Sequence, residues 1–371
     1  MNKKHKRVVH VCKFYPPEKG GIEYVSEQYV NFYKSLKYKN EVIAFTSAKK
    51  ASCQTDESIN IFRFPCITLA SQPLSIQYFK KVFRSLIRRP EVLHIHLPNY
   101  LAILGVLLTF WAHRKLIVHW HADSTSLKYH PIFILDILTV FLAHHVIFTT
   151  QEYFDHSPIR YFCRNKKVSI IPLTINQNAT ILNYNYSNNC RMVTKGRLNL
   201  LCIGRLVPYK GYYNLLHDLS NIKTSFHLTI VGDGTERTRL KKLVEVLGLQ
   251  NEVSFKFGIS DTEKNELLRA SDVMVLYSHS RAEAFGIVIL EAFACGLPVI
   301  TKYNPGSGMR TLNNNGVTGY EVSCKQTLSN ALAIIARKDA NYDNLCKYAY
   351  ERASEFSNKV AINKLKSLLN Q

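Results

Sequence analysis

Apolar residues fall along this chain in two alternating rhythms. Short, largely apolar runs at Val8–Phe14, Glu41–Thr46, Ile59–Phe64, Val92–Leu97, Lys115–Trp120, His145–Thr149 and Val168–Leu173 have the near-continuous character of strands covered on both faces. Between them, stretches such as Ile22–Leu36 and Ile76–Arg88 repeat their apolar positions at helical spacing. Strand and helix in alternation predict a doubly wound, largely parallel sheet. Residues 174–197 break the rhythm with an Asn-rich stretch that has no apolar period, which marks a linker. A second alternation follows, with strands at Leu198–Ile203, Phe226–Val231, Val253–Phe257, Asp272–Tyr277 and Leu297–Lys302 and helices near Glu236–Leu247 and Thr262–Ala270. The expected organisation is an α/β domain over 1–175, a linker over 176–197, a second α/β domain over 198–345 and a polar helical segment over 346–371.

Two apolar stretches raise the question of a membrane span. Leu101–Trp111 is too short to cross a bilayer, and Pro131–Phe148 is interrupted by Asp136, His144 and His145. Both read as buried helix and strand. The basic start of the chain lacks the apolar run of an export signal, because Lys13 cuts it. Nine cysteines, none in a C-x-x-C or ligand-spaced cluster, fit a reduced cytoplasmic protein without a structural zinc site. The sequons at Asn178 and Asn185 are then chance matches. The net charge of +21 is uneven: residues 1–175 hold 24 Lys/Arg against 11 Asp/Glu, and the remainder 24 against 16. No nucleic-acid-binding motif accompanies it, so nucleic acid is not an expected partner. The segment 76–89 offers another use. Ile76, Phe79, Val82, Phe83, Leu86 and Ile87 form an apolar stripe beside Lys80, Lys81, Arg84, Arg88 and Arg89. Such a helix either docks on an anionic leaflet or packs its stripe on the sheet.

The chemistry is densest at Glu283-Ala-Phe-Gly-Ile-Val-Ile-Leu-Glu291, which follows the strand Asp272–Tyr277 and opens a helix. A strand end feeding a helix start is an anion site, because free backbone N–H groups and the helix dipole both favour negative charge. On a helical wheel the two carboxylates stand roughly 80° apart, so both can face one ligand. With the helix starting near Gly286, a nucleoside diphosphate would rest its phosphates on the helix tip and its ribose on Glu291, and Glu283 would grip the transferred group. Two further loops suit phosphate. Gly204-Arg-Leu-Val-Pro-Tyr-Lys-Gly211 presents Arg205 and Lys210 between glycines. Gly20-Gly21, after the first strand, leaves amides approachable at a helix start. Asp233, in Gly232-Asp-Gly234, reads as part of a structural turn.

The E-x7-E spacing and the residues within and after it resemble the retaining glycosyltransferases of family 4. The resemblance extends to the G-R-x-x-x-x-K-G loop, the Gly20-Gly21 loop, Pro305-Gly-Ser-Gly308 and Asn315-Gly-Val-Thr-Gly-Tyr320, and is densest over 198–322. It implies the GT-B fold: two Rossmann-like domains facing across a cleft, the last helix crossing back to the first domain. It also implies a donor site of Gly20, Gly21, Arg205, Lys210, Phe257, Gly258, Glu283, Phe285, Gly286, Ile287 and Glu291. Glu283, His121, Arg205 and Lys210 carry the reaction in this reading, with no cofactor and no metal. The pairs His94-Ile-His96 and His119-Trp-His121 put their histidines on one strand face each, where a metal is geometrically conceivable. In related enzymes the histidine matching His121 sits beside the donor sugar instead; His94, His96 and Asp123 are structural or near the acceptor. The strings HIHLPN and VHWHAD resemble a bacterial subgroup that builds surface polysaccharides and lipid-linked glycans. Departures from the family pattern are Tyr277 for a common Pro, Thr174 for a common Gly, and Met309-Arg-Thr311 after the G-S-G turn. The expected partners are a nucleotide-sugar donor, a glycan or lipid-linked acceptor and an anionic membrane. A nucleotide-sugar epimerase, or a non-catalytic nucleotide-sugar or nucleic-acid binder, is the alternative.

Overall fold

The computed structural model describes residues 6–18, 20–69, 72–112, 114–123, 132–163, 167–175 and 196–371. The chain divides into two compact units, Met1–Pro172 with Ile362–Gln371, and Leu173–Ala361. The expected linker lies, through residue 195, outside the described residues, as do both sequons.

The first unit is built on strands β1 (Arg7–Val11), β2 (Lys39–Thr46), β3 (Ser52–Thr55), β4 (Ile59–Pro65), β7 (Val92–Leu97), β8 (Leu116–Trp120), β9 (His145–Phe148) and β10 (Lys167–Ile170), which form one sheet in the order β10-β9-β8-β7-β1-β2-β4-β3. All its pairings are parallel except β3 with β4. Strands β5 (Ile67–Leu69) and β6 (Gln72–Leu74) make a separate antiparallel pair. The helices are α1 (Gly21–Ser35), α2 (Ile76–Ile87), α3 (Tyr100–Leu108), α4 (Ile132–Leu142) and α5 (Gln151–His156). Ser75 and Asn99 cap α2 and α3 by accepting from the N–H of Tyr78 at 3.4 Å and of Ala102 at 3.2 Å. Asn99 also donates to the Tyr78 hydroxyl at 2.8 Å, which in turn donates to the Cys12 carbonyl at 3.0 Å, tying the end of β1 to both helices.

The stripe on α2 is divided. Tyr78, Val82 and Leu86 are fully buried and Phe79 and Phe83 are partly covered, so most of it packs inward; Ile76 and Ile87 stay exposed. The reading of Leu101–Trp111 and of the helix before His145 as wholly buried is corrected. Leu104, Leu108, Phe110, Trp111, Ile134, Leu138 and Phe141 are exposed, because α3 and α4 are apolar on nearly every face and the sheet can cover only one. Among the described residues no helix is long and apolar enough to cross a membrane.

The second unit holds β11 (Leu198–Ile203), β12 (Phe226–Val231), β13 (Val253–Lys256), β14 (Val273–Leu276), β15 (Val299–Lys302) and β16 (Gly319–Val322), all parallel, in the order β13-β12-β11-β14-β15-β16. The chain runs outward from β11 to β13, then returns to β14 on the other side of β11. The sheet therefore reverses direction between β11 and β14. The helix Ala340–Ser354 packs against the helix Ile287–Ala294 within this unit. In the first unit, Lys115 and Lys364 fix the last helix by donating to the Leu369 carbonyl at 2.7 Å and the Ile170 carbonyl at 3.0 Å.

Candidate active site

In an open parallel sheet, the loops that leave two neighbouring strands in opposite directions at a reversal open a crevice at the strand ends. Here those loops are Gly204–Gly211, after β11, and Tyr277–Gly286, after β14. They carry Arg205, Lys210 and Glu283. Gly211 holds a left-handed φ of 73° at the start of the helix Tyr212–Leu219, and a Cβ there would lie 2.1 Å from the Tyr277 carbonyl oxygen. The glycine thus lets the first loop press on the end of β14. That approach delivers the Lys210 ammonium to the Glu283 carboxylate, which it pairs with through Oε2. Ser278 adds a hydroxyl donor to the same oxygen at 3.3 Å.

Both partners are largely shielded from solvent, at 9% and 12% side-chain exposure, so the pair is strong and direction-setting rather than a screened surface contact. Burial disfavours the Lys210 ammonium, but Glu283 and Tyr209 beside it prevail and hold the amine above its ordinary range. Lys210 is therefore a fixed positive charge at the strand ends. Arg205, by contrast, is exposed, its guanidinium 3.4 Å from the Tyr209 hydroxyl. The backbone of Glu283 is pinned as well: its carbonyl accepts from the buried Ser307 hydroxyl at 2.6 Å, and Gly308 donates to the Ala284 carbonyl at 3.0 Å. Thus Pro305–Gly308 acts here as a brace behind the Glu283 turn.

One geometric expectation is corrected. The helix begins at Ile287, with Gly286 as its left-handed cap at φ 81°, and Glu283 lies in the turn before it. The helical-wheel angle between the two glutamates therefore does not apply, because only Glu291 is on the helix. Glu291 is half-buried and accepts from Lys264 at 2.9 Å. The first-turn amides of Ile287–Ala294 remain the anion-favouring end beside Glu283. Phe285 is buried and meets Phe356 edge-on at 6.2 Å, so it anchors the turn. Phe257 stacks parallel to Phe255 and lies 3.7 Å beneath the Arg237 guanidinium, while Gly258, at φ 63°, opens to free space. Asp233 pairs with Arg237 at 3.1 Å and accepts from the Gly234 amide, as a structural turn does. Sequence reasoning passed over Ser278, Lys264 and Tyr209; Lys264 reaches Glu291 from 27 residues away, whereas Ser278 and Tyr209 lie within five residues of the groups they touch.

The remaining expected residues belong to the first unit. Gly21 starts α1, and Gly20 precedes it in extended conformation at φ 171°, so neither needs a left-handed backbone there. A Cβ at Gly20 would meet only the mobile end of Glu23. His121 closes a column of buried histidines: the register sets His10 beside His94 and His96 beside His119. Its Nε2 is 2.9 Å from His96 Nδ1 and its ring stacks on His119 at 4.1 Å. Burial pushes its imidazole down to about 3, so it is neutral near pH 7 and acts by hydrogen bonding rather than as a cation. His96, His119 and His121, and likewise His10, His94 and His96, bring ligand nitrogens within 4.8 Å of one another. Tetrahedral zinc, with bonds of about 2.0–2.1 Å, needs its nitrogens about 3.3 Å apart. The rings lie within 29° of parallel, which directs their lone pairs alongside one another rather than toward a point. Asp123 accepts from Trp120 Nε1 at 2.8 Å and from the Ser157 hydroxyl at 2.7 Å, a structural role.

Residues 193–352 match the family model "Glycosyl transferases group 1". The chain is 28% identical over 324 residues to the D-rhamnosyltransferase WbpZ of Pseudomonas aeruginosa, spanning 86% of this chain and 83% of that protein. It is 26% identical over 318 residues to the O-antigen chain mannosyltransferase C of Escherichia coli, spanning 84% and 83%. Among solved structures, sucrose-phosphate synthase from Thermosynechococcus elongatus superposes with a TM-score of 0.79 over 99% of both chains at 17% identity. Anabaena HepE in complex with UDP-glucose gives 0.73 over 99% of this chain and 100% of that one at 19% identity. The chain has the GT-B fold and is a glycosyltransferase, the Gly204–Gly211 and Tyr277–Gly286 loops falling within the matched residues.

Proposed function

We propose that this enzyme transfers a hexose from a UDP- or GDP-linked donor to a lipid-linked glycan, with retention of anomeric configuration and without a metal, while in peripheral contact with an anionic membrane on the cytoplasmic side. The carrying observation is the Lys210–Glu283 pair at the strand reversal, beside the open end of the helix Ile287–Ala294. As the glycosidic bond breaks, negative charge grows on the departing diphosphate. Lys210, Arg205 and the helix amides meet that charge in a fixed array, the form of stabilisation that acts most strongly where water is excluded. Glu283, already held by Lys210 and Ser278, orients the sugar. Glu291 takes the ribose hydroxyls, exchanging its contact with Lys264 for them. Phe257 and Gly258 border the base, Phe285 and Ile287 shape the turn around the sugar, and Gly20 and Gly21 offer amides to an anionic group. His121 is a neutral hydrogen-bonding group for the reacting face. The donor assignment draws on relatives. A mannosyltransferase of Mycobacterium tuberculosis described as GDP-mannose-dependent is 34% identical over 127 residues, and HepE is described with UDP and glucose.

Thermal shift with UDP-, GDP-, ADP- and dTDP-sugars, run on the wild type and on Glu291→Ala, tests the donor site. Ligand at about 100 times its Kd adds roughly 2.7 kcal/mol of stability. A shift with one base, lost in the variant, is expected. Equal shifts in both proteins would remove Glu291 from the site. The anomeric configuration of the product, read by NMR, decides retention: an inverted linkage sinks the front-face mechanism.

A further inference from the structure

Helix α2 lies along α3, and α3 along α4, with the turn Pro158–Phe162 against α4, so the four make one contiguous layer over the sheet. Gly105 permits the closeness of the first pair, since a Cβ there would come within 2.8 Å of Val82 Cγ1. The outer face of this layer is unlike that of a soluble α/β unit. Trp111 is 59% exposed, Ile134 58% and Phe141 70%, with Leu104, Leu108 and Phe110 exposed beside them. Tyr161 and Phe162 extend the patch beyond α4. Contiguous exposed apolar surface on this scale marks an interaction face.

We infer that the outer face of the α2–α3–α4 layer, with the Pro158–Phe162 turn, inserts shallowly into an anionic lipid bilayer. The inference rests on the membrane contact proposed above and assigns it a surface. Charge selects the occupant. Lys80, Arg84, Arg88 and Arg89 are exposed on or just after α2, and Arg114 follows α3. The sole acidic residue within α2, α3 and α4 is Asp136, which is buried. A second copy of this chain, at net charge +21, would bring cations against cations. An anionic leaflet offers the opposite charge to the rim and an apolar medium to the centre. Trp111 and Tyr161 are residues that favour the level of the lipid headgroups, and Phe110 adds to the apolar side chains that insert. The docking element therefore differs from the sequence expectation. The buried stripe of α2 serves the core, α2 contributes its cations, and α3 and α4 supply the inserting side chains.

The protein carries its own probe. It has two tryptophans, and Trp120 is buried with its indole N–H given to Asp123. Adding vesicles of phosphatidylcholine with phosphatidylglycerol to the full-length protein should shift Trp111 emission to the blue, and brominated acyl chains should quench it. The shift should persist in the Trp120→Phe variant. Phe110→Asp combined with Ile134→Asp should lower vesicle binding at least tenfold with an unchanged melting temperature, because both positions face solvent. Arg88→Glu with Arg89→Glu should weaken binding at low salt more than at high salt. Co-sedimentation without quenching of Trp111, or no binding to the phosphatidylglycerol-containing vesicles, would overturn the assignment. So would a concentration-dependent dimer dissolved by the aspartate pair, which would mean that a second copy covers the face. Sugar transfer to a water-soluble acceptor is assayed separately. Transfer without vesicle binding removes this surface and keeps the enzyme reading, whereas binding without transfer does the reverse.

Discussion

Lys210 and Glu283 are 73 residues apart in the chain and meet in a shielded ion pair. Removing one partner of such a pair leaves a buried charge without compensation, whereas removing both charges is often close to neutral for stability. That asymmetry separates catalysis from folding. Lys210→Ala is expected to lower kcat by roughly 100-fold or more, the scale of single groups that face developing charge, and also to lower the melting temperature. Lys210→Met with Glu283→Gln should recover the melting temperature and stay inactive; a double variant that regains turnover would remove both residues from the mechanism. The ammonium is held above its ordinary value, near 10.5, so the pair's contribution is complete below that pH and is lost as pH rises through the higher folded-state value. Each residue was legible alone, one in a glycine-bounded loop and the other at a helix start. Their contact was not, because it depends on which two strands are neighbours.

Among the elements, parallel strands buried on both faces wrote themselves into the sequence as apolar runs, and β1, β2, β7, β8, β11 and β15 were readable for that reason. Strand β3 is exposed at every position and β5 and β6 are three residues long, so neither leaves an apolar trace. Sequence periodicity also does not distinguish an apolar helix that is covered from one whose far side is bare, which is why the outer faces of α3 and α4 were misjudged. The element whose position matters most for the site is the loop between β11 and the helix Tyr212–Leu219. It rests on one residue, Gly211. Alanine there would meet both a left-handed φ of 73° and a backbone oxygen 2.1 Å away, which no side-chain adjustment relieves. We expect Gly211→Ala to cost about 1 kcal/mol from the dihedral alone and more from the displaced loop, with turnover falling alongside. Denaturant midpoints and kcat measured together check this; a stable variant with full activity would show that Lys210 does not depend on that approach.

At the scale of the whole molecule, the two units should answer acid differently. His10, His94, His96, His119 and His121 stand in one buried column under Tyr29 and Tyr33 of α1. Burial lowers every one of them, His10 to about 4 and His121 to about 3. An imidazole whose value is lower in the folded state contributes its stability above the unfolded value, about 6.5, and loses it as pH falls toward the folded one. Asp136 works in the opposite sense: burial and Asp123 raise it to about 7, so between that value and its ordinary range the folded unit binds a proton that the unfolded chain does not. The five imidazoles of the column, joined by His145, which burial also lowers, outnumber that carboxyl, so the unit loses stability as pH falls below about 6.5. Domains are only marginally stable, so unit 1 should be the first to unfold as pH falls below about 6.5. The second unit holds three histidines, His217, His227 and His279, and lacks such a column. Both tryptophans lie in the first unit, so their fluorescence follows that unit alone while far-ultraviolet circular dichroism follows both. The fluorescence transition should come at the higher pH, and His94→Leu, which removes two buried ring nitrogens that lack a hydrogen-bond partner, should move it to lower pH. Coincident transitions by both probes, or a midpoint unmoved by that substitution, would mean that the histidine column does not set the acid limit of the fold.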